Sequence, residues 1–197
     1  MGRVSVTCFL ASYAVALLLE GLSAVRRGPG PWARLGSLGL TIAGFVAHTL
    51  YLYVRAKTTS LPPLLSSMQD WLYVLAWLLI LVDVFVTLSD RQAAVGILVL
   101  PVVMALVIGA HFVSSSHAPI SSVQRNWAML HVGLLVFGMG GLLIGLVVSL
   151  MYLWQHSRLK SRHPGTPLFP LPNLERLHRW NKWLVMLSIP TLTLGMV

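Results

Sequence analysis

Acidic side chains are scarce: five Asp and Glu stand against fourteen Lys and Arg, and charged residues make up only 10% of the 197. A soluble domain typically carries about 25% charged residues, so too few are present to solvate a surface of this size. With 56% apolar residues, the expected class is an integral membrane protein. The formal net charge of +9 would suggest nucleic acid in a soluble chain. Here the charge sits between apolar runs, where lipid headgroups and membrane topology account for it, and no nucleic-acid partner is expected. The single cysteine, Cys8, excludes an internal disulfide, a Cys-x-x-Cys redox pair and a thiolate zinc site. Also missing are a Gly-rich phosphate loop, a Ser/His/Asp arrangement and paired carboxylates in sequence. No residue is assigned as catalytic, and the chain is not expected to be an enzyme on its own.

What is present in quantity is long apolar sequence. The stretch from Trp127 to Trp154 contains no formally charged side chain and a single ionisable one, His131. As a helix rising about 1.5 Å per residue it more than crosses a ~30 Å hydrocarbon layer. Trp127 at one end, with Tyr152 and Trp154 at the other, supplies an aromatic anchor for each headgroup layer. Similar reasoning places spans at roughly 4–25, 36–55, 71–89, 93–113, 127–154 and 181–197. The predicted fold is an all-α polytopic bundle of about six transmembrane helices in one domain. The first run is read as a retained span rather than a signal peptide, because it is long and is followed by Arg26 and Arg27. Connections are marked by Pro62 and Pro63, by the turn at 89–92, by a Ser-rich segment with Pro119, and by a proline-rich stretch over 155–179. There is no internal repeat.

Lys and Arg divide unevenly between the two sides, ten on the first, third and fifth connections against four on the N-terminus and the even ones. The positive-inside bias then predicts an outside N-terminus and a cytoplasmic connection at 155–180, in a membrane expected to be the bacterial inner membrane.

Seven histidines are distributed over this plan. His156, His163 and His178 fall in the basic connection and read as solvated; His117 lies in the Ser-rich loop. His48, His111 and His131 fall inside or at the end of spans, where an imidazole must find a partner. A hydrogen bond to a neighbouring helix satisfies that need without a cofactor. All three, however, fall toward the predicted outer half of the membrane, where neutral imidazoles among apolar and aromatic walls suit haem iron. With no thiolate or carboxylate beside them, haem fits these surroundings better than zinc. Gly133, Gly138, Gly140, Gly141 and Gly145 on the same span read as a close helix contact or as room for a flat ligand. Glu20 and Asp83 are the intramembrane acids, each without an evident partner at helical spacing. Asp83 and His48 sustain an alternative function, a haem-free polytopic transporter or membrane-complex assembly subunit.

The residues Trp127, His131 and Val132, then Leu171, Pro172, Leu174 and Glu175, then Leu192, Thr193, Leu194 and Gly195 resemble, in order and spacing, the cytochrome c assembly family in its CcsA, ResC and HemX-like branch. A weaker likeness covers 43–77, around AGFVAHTLYLYVRA and LYVLAW. The resemblance implies a protein of c-type cytochrome biogenesis that holds or presents haem non-covalently at the outer face for attachment to apocytochrome c, alongside a second maturation subunit. It implies His131 as an axial ligand of the haem iron, with Trp127 beside it, and carries His48 as a second intramembrane ligand; His111 joins them as a cofactor-binding candidate. The family's Trp-Gly-x-x-Trp-x-Trp-Asp loop and its following histidines are not in the sequence. The expectation is therefore an incomplete assembly domain, the N-terminal portion of a longer protein or a truncated gene product.

Overall fold

The computed structural model describes residues 6–25, 31–59, 67–89, 95–113, 125–160 and 174–196. Six helices run in order: α1 Val6–Val25, α2 Pro31–Thr59, α3 Met68–Ser89, α4 Gly96–Ala110, α5 Arg125–Lys160 and α6 Leu174–Met196. No strand occurs among the described residues. Each of the six expected spans falls on a helix over its described residues, apart from the edges of the fourth, which ends in a turn at 111–113. His117, His163, Pro62, Pro63 and Pro119 lie outside the described residues.

Four helices are long and apolar enough to cross a membrane, over Val6–Ser23, Trp32–Thr58, Met68–Leu88 and Trp127–Ser157. The chain is an integral membrane protein. α4 is apolar but only 15 residues long. α6 starts earlier than the expected span because a charged stretch of about two and a half turns, with Glu175, Arg176, Arg179 and Lys182, extends the helix before its apolar part. Arg179 donates to Glu175 at 3.0 Å across one turn, and Arg176 lies over the Trp180 ring. α5 likewise runs past Trp154 to Lys160, shortening the connection read from sequence.

Consecutive helices pair as α1–α2, α3–α4 and α5–α6, and contacts of α1 with α4 and of α2 with α3 close the first four into a bundle. Its core holds Phe9, Tyr13, Tyr73, Leu79, Ile80, Leu100, Val103 and Val107. Small residues set how closely the helices approach. A Cβ on Gly44 would lie 2.6 Å from the Tyr13 ring, so α1 and α2 meet there only because that side chain is missing. Trp77 of α3 donates from Nε1 to Thr49 Oγ1 of α2 at 2.8 Å and stacks on Phe45.

The α5–α6 hairpin rests on α3 through a second apolar cluster of Leu75, Val132 and Val136. Its own seam is built on glycine. A Cβ on Gly138 would strike Leu192, one on Gly141 would strike Ser188, and one on Gly195 would come within 3.1 Å of the Leu135 backbone nitrogen. The glycines therefore serve close helix contact. Gly133, one turn nearer the helix start, has no neighbour within 4 Å. Gly141→Leu should therefore lower the thermal stability of the purified protein by about 1–3 kcal/mol through overpacking. Gly133→Leu should leave it unchanged, with both read from helical circular dichroism during melting.

Candidate functional site

Alternating helix direction puts the start of α1, the end of α2, the start of α3 and the end of α4 at one end of the bundle. There the structure assembles an aromatic and imidazole cluster. His48 of α2 is fully buried. Phe9 of α1 stacks parallel on its ring, with centroids 4.3 Å apart and 1° between the planes. Nδ1 of His48 shares a hydrogen bond with the Tyr13 hydroxyl at 3.3 Å, while Nε2 is buried with no hydrogen-bond partner among the described residues. Tyr73 of α3 meets His48 edge-on at 6.4 Å, and on its other side meets His111 edge-on at the same separation.

His111 caps the end of α4 and is exposed. Its Nδ1 lies 3.1 Å from the Val107 carbonyl oxygen. A carbonyl can only accept, so Nδ1 is the donor, and Nε2 is the nitrogen that carries the lone pair when the ring is neutral. Ligating imidazoles are commonly prepared in this way, one ring nitrogen tied to a carbonyl and the other left basic. The charged lid of the cluster is an ion pair between Arg55 at the end of α2 and Asp70 at the start of α3. Arg55 also donates to Gln69 at 2.9 Å and to the Tyr51 hydroxyl at 3.2 Å. Ser67 precedes α3, and its hydroxyl accepts from the Asp70 backbone N–H at 3.3 Å.

His48 and His111 thus come to the two sides of one tyrosine. His131 stands apart from them: it is exposed on α5, as is Trp127 one turn before it. The reason is helical register. Val132 and Val136 are the α5 side chains that face α3, which turns residues 127 and 131 away from the bundle. They lie instead on the stripe that, farther along, holds Leu135 and Gly138 against α6. A planar ligand has open access to His131 and His111. At His48 it would have to displace Phe9, Tyr13 or Tyr73. Among the described residues no group of three or more His, Cys, Asp or Glu is placed to hold a metal ion.

Sequence reading did not single out Phe9, Tyr13, Tyr73 or the Arg55–Asp70 pair. A signal existed for the last, since an arginine and an aspartate close two consecutive spans and flank one connection. The three rings resemble any other core aromatics until the helices are assembled.

The sequence profile of the cytochrome C assembly protein family matches residues 65–197, two thirds of the chain. The chain belongs to that family. It is 28% identical over 152 residues to the cytochrome c biogenesis protein CcsA of Picosynechococcus sp., covering 75% of this chain and 44% of that protein. The CcsA proteins of Chlorella vulgaris and Pyropia yezoensis are 28% and 25% identical over 157 and 170 residues, covering 76% and 82% of this chain and 48% and 53% of theirs. The chain spans about half the length of these curated relatives. No solved structure matches.

The Asp70 carboxylate is fully buried and Arg55 is 22% exposed. Removing one member of such a pair strands the other, so Arg55→Ala should destabilise the protein by about 3–5 kcal/mol, whereas joint replacement by Met and Leu should restore most of that loss. Chemical denaturation of the three forms measures the difference.

Proposed function

We propose that this protein works in c-type cytochrome biogenesis, holding haem at the outer face of the membrane for attachment to apocytochrome c. Family membership over residues 65–197 is the observation that carries the reading. The relatives it matches are cytochrome c biogenesis proteins. His131 is the proposed axial ligand, with Trp127 on the preceding turn as an apolar wall for the porphyrin. His111 is the second candidate, supported by its Nδ1 contact to Val107. His48 is the weakest of the three, since it is fully buried among Phe9, Tyr13 and Tyr73, which leave no room for a porphyrin beside it. Haem, when bound, supplies the group that becomes attached to the cysteines of the apocytochrome; this chain's part is to grip the iron and keep the ring in an apolar setting. The Lys and Arg distribution supports an outside N-terminus and a cytoplasmic 155–180 connection in the bacterial inner membrane. A second maturation subunit is the proposed partner on the lipid-embedded surface.

The test is spectroscopic. The chain purified from membranes of cells making haem should show a haem absorption band, and His131→Ala should lose most of it. His111→Ala should weaken the band or change the ligand-sensitive part of the spectrum. A colourless protein whose behaviour is the same with and without His131 overturns the haem reading in favour of a haem-free transporter or assembly subunit.

A further inference from the structure

At the opposite end of the four-helix bundle two carboxylic acids are buried within electrostatic reach of one another. Glu20 comes from the end of α1 and Asp83 from the last turns of α3, close enough to interact electrostatically. Asp83 is 3% exposed, and its Oδ1 has no hydrogen-bond partner among the described residues. Oε2 of Glu20 is likewise buried and without a partner. Its other oxygen, Oε1, accepts from the Ser37 hydroxyl of α2 at 2.9 Å. The backbone of α4 is shaped to this carboxyl group: a Cβ at Gly96 would lie 2.6 Å from one Glu20 oxygen and 2.7 Å from the other.

The groups facing the pair can be named helix by helix. α1 contributes Tyr13, within electrostatic reach of Asp83. α2 contributes Ser37, and Arg34, which acts on Glu20. α4 contributes Gly96 and the partial positive charge of its first turn. One half-buried arginine and one helix N-terminus balance a single negative charge. They do not balance two adjacent charges in a low-dielectric interior, where neighbouring carboxyl groups resolve the conflict by keeping one proton between them. The two orphaned oxygens, one on each acid, are the places such a proton would satisfy.

We propose that Glu20 and Asp83 form a proton-sharing carboxyl pair, a binding site for one exchangeable proton within the membrane-spanning bundle. The site is independent of the haem reading. It gives the chain a titratable element whose gain or loss of a proton changes the charge held among α1, α2, α3 and α4. Ionisation of the second carboxyl adds a like charge within electrostatic reach of the Glu20 carboxylate, which lies against Gly96, and so acts on the start of α4.

The experiment is infrared spectroscopy of the full chain in lipid nanodiscs, following the carbonyl stretch of a protonated carboxylic acid across pH and after exchange into deuterium oxide. A protonated band equivalent to about one carboxyl per chain is expected at neutral pH, disappearing as pH rises. Asp83→Asn should abolish it, because Glu20 alone is balanced by Arg34 and the α4 terminus. Should Asp83→Asn fail to fold by circular dichroism, Gly96→Ala, which forces a methyl group into the Glu20 carboxyl, should shift the band instead. Absence of any protonated band at neutral pH overturns the proposal. So does bleaching of the band by added sodium ions at fixed pH, which would make the ligand a metal cation. Neither result depends on haem binding.

Discussion

A polar group carried into hydrocarbon has no water to fall back on, and every such group must be answered from inside the protein. This constraint organises the first four helices more firmly than their apolar side chains do, since lipid tails solvate Leu and Val nearly as well as another helix does. His48 is answered by Tyr13 and by the flat face of Phe9. Asp70 is answered by Arg55, Glu20 by Ser37, and the Trp77 indole by Thr49. Each answer comes from a different helix. Together these contacts fix which faces of α1, α2 and α3 turn inward, and the packing of Leu79, Ile80, Leu100 and Val103 follows from that choice.

The same constraint explains what could be read from the amino acids. Span positions were legible, because hydrocarbon thickness dictates run length, and the bounds of α1 and α3 fall within a few residues of the expected ones. The ends of α5 and α6 were not, because Arg158, Lys160, Arg176 and Arg179 are polar enough to read as loop while remaining good helix formers. The glycines of α5 were legible as packing residues only in kind: which of them meet α6 depends on register, and Gly133 is spared.

The histidines show the limit more sharply. Sequence placed three imidazoles at one level of the membrane. Depth along a helix can be counted from residue numbers, but azimuth cannot, since a hydropathy pattern that is apolar all round gives no preferred face. Tyr73 stands between His48 and His111, and Val132 rather than its neighbour His131 faces the bundle. The two acids were invisible as a pair for a related reason. Separated by one helix in sequence, Glu20 and Asp83 come within electrostatic reach only when α1 and α3 are packed into one bundle, with the Glu20 carboxyl against Gly96 of α4.

The α5–α6 hairpin rests on the other four helices through Val132 and Val136 against Leu75 and, farther along, through Val147, Val148, Met151 and Leu177, which are continuous with the main core, whereas its own two helices are in glycine-to-side-chain contact over several turns. The hairpin is held more closely to itself than to the four helices it leans on. A displacement between hairpin and bundle therefore disturbs fewer neighbours than one within the hairpin.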